Sequence, residues 1–544
     1  MKTNPSYSGE SRRHTAKRSY GLLAAGLTAL VLSALAMTSC RQESDPVMNY
    51  AYNDQMAFGA AENSYAAKFD VLWNGMNTNY AMWDYEEQFG VDWDQVYDEF
   101  YPQFAALDSQ KTAVTDAQLK ALLDSVLAPL HDGHMLVSLK NHATGKFVNS
   151  SPAALRMMRE RRDEYLSVTQ KGIDSLSYTY YREAGEILEE RYICTNALST
   201  VVGPALTTVG DLMEPLKEKE RQGTITPEES DTLKIYTEIN TEIQRIIALL
   251  FASGDDSSEA VAIFNTVAYR YEYLHIPGLV PVDPLLAQYG MTLSYVLFKG
   301  NIAYLAFDQF MLSAYLNEEI RNSIFGTPSE STQLVIDHLT ATWQAWFNAI
   351  QTHQKAGDLG GVIIDVRNNG GGILNDYQYV LGALLPSGNY HNTNARFKRG
   401  TGRLDYSPIM PQLMPTYSDE HVTVTAPVVT LCNVASVSMA EHTSYGTTTL
   451  DNGTLIGTRT WGGFSALNSG EVYTNNYAGY VGIQNVTPVF CYIPLELAMT
   501  KDNEVLEGKG VTPDIEVAWD ENMFMTTGRD NQLDRALQFI KGGN

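Results

Sequence analysis

At 544 residues the chain is long for one domain, and roughly 150 residues per domain predicts three or four units. Hydrophobic residues make up 44% and charged residues 19%, a folding composition that excludes wholesale disorder. The 38 Lys and Arg stand against 63 Asp and Glu, and a net charge of −25 repels phosphate backbones and argues against nucleic acid as a partner. Four cysteines cannot make a disulfide scaffold at this length.

The N-terminus carries Arg12, Arg13, Lys17 and Arg18, then a nearly continuous apolar run over Gly21–Met37 and the small residues Thr38-Ser39 before Cys40. A basic start, an apolar stretch and a small-residue boundary predict a signal peptide over residues 1–39 and not a membrane span. The small residues before Cys40 resemble a bacterial lipobox, with Met37 where Leu is usual. That resemblance implies acylation of Cys40, a lipid anchor in the membrane, and a place in the bacterial cell envelope, at the outer membrane. Arg41-Gln42-Glu43-Ser44-Asp45 resembles an acidic surface-export tag. Removing residues 1–39 leaves 33 basic and 62 acidic residues, a net charge of −29. Cys194, Cys432 and Cys491 then remain, an odd set that still permits one bridge.

Residues 40–140 read as an N-terminal helical domain. Leu119, Leu122, Leu123, Val126, Leu127 and Leu130 recur at helical spacing, and Thr115 with Gln118 makes a capping-box start. This helix gives way to Leu130-His131-Asp132-Gly133-His134. Residues 141–290 read as a helical insertion with few strand signals, and Thr226-Pro227-Glu228-Glu229 opens a long amphipathic helix. From residue 291 to 544 the texture is that of an α/β core. Apolar runs at Asn301–Phe307, Gly361–Val366, Pro427–Cys432 and Thr454–Thr460 are strand-like, and helix-period sequence lies over Ile373–Leu385 and from Val437. The alternation predicts βαβ units and a parallel sheet covered on both faces.

Two sharp breaks follow buried strands, Asp365-Val366-Arg367-Asn368-Asn369-Gly370-Gly371-Gly372 and Asn433-Val434-Ala435-Ser436-Val437-Ser438-Met439-Ala440-Glu441. Parallel sheets bind ligands at the carboxyl ends of their strands, where both breaks should emerge. Glycines let backbone N–H groups approach a ligand, and a Ser at a helix N-terminus faces the positive end of the helix dipole. Taken singly, they read as a tight turn and a helix cap.

Together they resemble the C-terminal processing peptidase and tricorn-core family of serine peptidases. Asp365–Gly372 is similar to its D-x-R-x-N-x-G-G signature, and Ser438-Met439-Ala440-Glu441 to its S-x-x-E, whose Ser is the nucleophile. Gly457-Thr458-Arg459-Thr460-Trp461-Gly462 resembles the G-x-x-T-x-G turn, and Glu507–Asp514 the closing E-x-x-G-V-x-P-D. Leu130–His134 resembles the D-G-H element of tricorn-type members, whose His is the general base. The resemblance implies a crotonase-like peptidase core, a serine peptidase activity on polypeptides, and no cofactor. It does not extend to the helical insertion, and no peptide-binding PDZ module can be placed.

Ser–Lys members of the family carry a Lys just after the T-x-G turn, where this chain has Gly462-Gly463-Phe464. The tricorn-like alternative implies Ser438 as nucleophile, His134 as base and Glu507 as the carboxylate that orients it. A Ser hydroxyl attacks only when a base takes its proton, and imidazole can return that proton to the leaving amine. For the tetrahedral oxyanion the backbone N–H groups of Gly371 and Met439 are the expected donors. Ser436 is the competing nucleophile. Arg367 and Glu441 read as loop supports and His442 as packing. His131 with His134 lacks a third ligand for a metal. The rival reading is a catalytically inactive relative that binds peptides or ligands; a different hydrolase finds no G-x-S-x-G elbow.

Overall fold

The computed structural model describes residues 55–542 apart from 168–174, 195–197, 253–256, 277–278, 280, 283–290, 329, 401, 418–420, 422, 466–479 and 495. The signal peptide and Cys40 therefore lie outside the described residues. The chain divides into two compact units. The first takes the described residues up to Arg156 together with Ala395–Ile409 and Ser465–Leu497; the second takes Met157–Asn394, Met410–Phe464 and Ala498–Asn544. This differs from consecutive blocks along the chain, because two late segments join the N-terminal unit.

In the first unit, helices Tyr65–Asn79, Trp93–Asp108 and Asp116–Leu127 start at side-chain caps Ser64, Asp92 and Thr115. Thr115 and Gln118 form the expected reciprocal capping box. Leu119, Leu123, Val126 and Leu127 are buried along one face. The unit is not wholly helical. Strand Leu136–Lys140 pairs antiparallel with Phe147–Ser150 on one side and Val489–Tyr492 on the other. The second partner lies some 350 residues away in sequence, so no local pattern announces it.

The second unit is built on a seven-stranded sheet. Its strands are β1 (Ile187–Cys194), β2 (Thr292–Phe298), β3 (Ile302–Phe307), β4 (Gly361–Asp365), β5 (Val428–Cys432), β6 (Gly453–Gly457) and β7 (Ile515–Glu516). They lie in chain order across the sheet. From β3 to β7 neighbouring strands are parallel, whereas β1, β2 and β3 pair antiparallel, so the sheet is mixed and not purely parallel. Strands β3, β4 and β5 are buried at every position. The alternation of side chains explains it: Val362 and Ile364 of β4 pack with Trp343 and Trp346 of helix Glu330–Ala356. Ile363 faces the opposite cluster, with Leu533 and Leu537 of helix Asn531–Ile540.

Strand β1 lies within the stretch expected to be helical. Its charged residues Glu189, Glu190 and Arg191 mask the pattern, and charge is how an edge strand avoids further pairing. Helices Leu198–Arg221, Pro227–Ala252 and Ser257–Arg270 follow and share a separate apolar core that includes Ile239, Ile243 and Phe264. Thr226 and Glu229 cap the second of them reciprocally, as the sequence predicts. Cys194 and Thr292 are direct partners across β1 and β2, so the bundle leaves and re-enters the sheet at one place, like the loop of a hairpin.

Candidate active site

Strands β4 and β5 are parallel neighbours, with Asp365 opposite Leu431, so the breaks after them emerge on the same edge of the sheet. Side chains then sew them together. Asn433 Oδ1 accepts from the Asn368 N–H at 3.0 Å, and Asn433 Nδ2 donates to Asn368 Oδ1 at 2.9 Å. The Val437 N–H donates to the Asn369 carbonyl at 2.9 Å. Ser436 donates its hydroxyl to the Val366 carbonyl at 2.7 Å and is fully buried, which makes it a tie between the loops and leaves Ser438 as the half-buried hydroxyl.

Ser438 is the N-cap of helix Met439–Thr448 and has φ 58° and ψ −118°, a conformation costly for an L-residue. Gly371 presses against it. A Cβ on Gly371 would stand 2.6 Å from Ser438 Cβ and 3.0 Å from the Met439 nitrogen, and its φ is +87°, so only glycine fits. Met439 occupies the first helical position, where the N–H has no intrahelical acceptor and adds to the positive end of the helix dipole. The Gly371 N–H, the second expected donor, is given instead to Asn369 Oδ1 at 2.8 Å. Asn369 is the buried Asn of the D-x-R-x-N run and also holds the Phe307 carbonyl, at 2.9 Å.

Glu441 holds the next motif. Its buried carboxylate accepts from Thr460 Oγ1 (2.5 Å), the Gly462 N–H (2.8 Å), the Gly463 N–H (2.6 Å) and the Ser438 N–H (3.3 Å). Burial pushes its pKa up and these donors pull it down. Ser438 N–H also donates to the Gly463 carbonyl at 3.1 Å, so Gly463 supplies backbone to the Ser438 turn. The closing motif attaches in turn. Thr460 Oγ1 accepts from the Val511 N–H at 2.7 Å, and Gly508 N–H donates to the Gly462 carbonyl at 2.8 Å. Glu507, buried, sits at the head of that segment. The four motifs of the second unit thus form one hydrogen-bonded string around Ser438.

Peptidase family S41 matches residues 301–517, a span that holds all four motifs. The chain carries a family S41 peptidase domain. Among curated proteins no match is found. A solved structure from Parabacteroides merdae is similar at 15% identity over 88% of this chain and 97% of that one, with a TM-score of 0.44. Mature CPAF complexed with lactacystin is similar at 12% identity over 89% and 100%, with a TM-score of 0.43. The photosystem II D1 C-terminal processing protease is similar at 17% identity over 40% and 42%, with a TM-score of 0.25.

Within the S41 domain Ser438, Gly371 and Met439 come together, and Glu507 opens the turn bonded to Gly462. His134 belongs to the first unit. It is half-buried on the turn before Leu136–Lys140, and Asp132 Oδ1 accepts its backbone N–H at 2.7 Å and that of Met135 at 2.6 Å. Asp132 is fully buried, which pushes its carboxyl up to about 7. His131 Nδ1 pairs with Glu86 Oε2 at 2.9 Å. No group of residues suited to a metal occurs among the described residues. His442 packs inside, stacked on Phe464 with its Nε2 donating to the Phe464 carbonyl at 2.9 Å.

Arg367 of the S41 domain makes two bidentate pairs, with Asp365 (3.0 and 2.6 Å) and with Asp530 (3.0 and 2.7 Å). No sequence motif points to Asp530. It stands beyond the last motif, and its only local signal is as N-cap of helix Asn531–Ile540. Cys432 and Cys491 are free and buried, and burial pushes both thiols up, so they are inert packing groups.

Proposed function

We propose that this protein is an envelope serine endopeptidase that hydrolyses peptide bonds of polypeptides with Ser438 as nucleophile. The observation that carries the reading is Ser438 itself: a strained, half-buried N-cap against which Gly371 lies so close that a Cβ there would stand 2.6 Å from Ser438 Cβ and 3.0 Å from the Met439 nitrogen. Strain of this kind is kept where the surroundings over-determine it, and such positions cluster at active sites.

The base is assigned to His134 of the D-G-H motif and the orienting carboxylate to Glu507. In this scheme the imidazole takes the Ser438 proton as Oγ attacks the substrate carbonyl carbon. The oxyanion that forms is met by the Met439 N–H. Gly371 serves as second donor by sharing its hydrogen between Asn369 Oδ1 and the oxyanion. The proton passes to the leaving amine, the C–N bond breaks, and water hydrolyses the resulting ester by the same route in reverse. Acylation of Cys40 would tether the domain to the membrane.

Fluorophosphonate labelling tests the reading. Wild-type protein is expected to be labelled on Ser438 and to degrade a fluorescently labelled unfolded protein, and Ser438→Ala to do neither. An unlabelled Ser438 in folded wild-type protein would overturn it in favour of a binding protein.

A further inference from the structure

Within the second unit, the segment Met157–Ser167 carries none of the family motifs, yet one of its side chains grips the motif turn of the same unit. Arg161, only 8% exposed, donates Nη1–H to the Thr460 carbonyl at 2.6 Å and Nη2–H to the Arg459 carbonyl at 2.5 Å. Glu164 aims the guanidinium from the other side, accepting from Nε at 2.8 Å and Nη2 at 2.6 Å. One turn on, Tyr165 packs its ring against Trp461 with centroids 5.7 Å apart. Both contacts fall on Arg459-Thr460-Trp461, the centre of the G-x-x-T-x-G turn.

That turn is what supplies donors to Glu441, through Thr460 Oγ1, Gly462 N–H and Gly463 N–H. The Gly463 carbonyl and Glu441 Oε2 in turn hold the Ser438 N–H. We propose that Arg161 is a positioning residue for the nucleophile. By clamping two successive carbonyls it fixes the turn, and through Glu441 and Gly463 it holds the strained backbone of Ser438 in its reactive orientation. Planar guanidinium geometry suits the task, because two parallel N–H groups reach adjacent carbonyls at once and an ammonium cannot reproduce that fork. The proposal rests on Ser438 being the nucleophile.

The test measures the second-order rate of fluorophosphonate labelling of Ser438, per folded molecule, in the full-length protein, with thermal melting alongside. A displacement of about 1 Å at a reacting group costs about 100-fold in rate. Arg161→Met is expected to slow labelling about 10- to 100-fold while the labelled residue stays Ser438. Arg161→Lys should recover part of that loss, and Glu164→Gln should cost little, since the clamp on the carbonyls survives. In peptide hydrolysis the loss should appear in kcat and not in KM. Wild-type labelling rates in folded Arg161→Met would overturn the proposal. If Arg161→Met does not fold, Arg161→Lys decides, and a wild-type rate there overturns it as well. Absence of labelling in the wild type would instead remove the underlying assignment of Ser438.

Discussion

Ser438 holds a backbone conformation that glycine would adopt freely, and strain of this type costs on the order of 1–3 kcal/mol. Ser438→Gly should therefore raise stability by about 1 kcal/mol over Ser438→Ala, read from urea midpoints, while both are inactive. Gly371 is the complementary case. Gly371→Ala drives a Cβ to 2.6 Å from Ser438 Cβ, so folded variant protein should lose labelling at Ser438. The base is tested by non-additivity: His134→Ala should abolish turnover nearly as completely as Ser438→Ala, and the double variant should be little worse than either. Substantial turnover by His134→Ala would exclude it as the base.

At the scale of elements, the loop after β4 is anchored by charge and the helical bundle is independent of it. Arg367 is buried between Asp365 and Asp530, and Arg367→Met would leave two buried carboxylates without their counter-ion. The expected loss is about 3–5 kcal/mol in chemical denaturation, with Asp530→Asn milder because Gln532 still accepts from the guanidinium. The bundle of Leu198–Arg221, Pro227–Ala252 and Ser257–Arg270 buries its own core and joins the sheet where Cys194 faces Thr292. Replacing residues 196–290 by a short Gly-Ser turn should thus preserve Ser438 labelling and change which polypeptides are degraded. A folded product without labelling would mean that the bundle shapes the nucleophile.

Across the whole molecule, buried titratable groups set opposing pH trends. Burial depresses His442 to about 4, whereas the unfolded imidazole titrates near 6.5. The unfolded chain then binds the extra proton between those values, so stability falls as pH drops from about 6.5 towards 4, by on the order of 3 kcal/mol. Asp376 runs the other way. Burial lifts its carboxyl to about 7, so its contribution is full below the unfolded value near 3.9 and is lost as pH rises through 7. Urea midpoints from pH 4 to 7 should show the acid-side loss shrink in His442→Gln, which can still donate to the Phe464 carbonyl. Cys40→Ala should leave the protein in the aqueous phase on detergent partitioning, and unchanged partitioning would exclude the lipid anchor.

Sequence alone determined the parts whose information is local. Caps at Thr115 and Thr226, the buried strands β3 to β5, and the motifs at Asp365, Ser438, Thr460 and Asp514 were legible, because periodicity and turn chemistry reside in neighbouring residues. Tertiary structure decided what depends on distant partners. It revealed β1, whose edge position tolerates charge, and the antiparallel half of the sheet. It paired Leu136–Lys140 with Val489–Tyr492, joined Asp530 to Arg367, and turned the Gly371 N–H onto Asn369. It also set Arg161 against the carbonyls of Arg459 and Thr460, nearly 300 residues away. Backbone acceptors carry no side-chain signature, so a hydrogen bond from a lone arginine to two carbonyls leaves no pattern in sequence and exists only once the chain has folded.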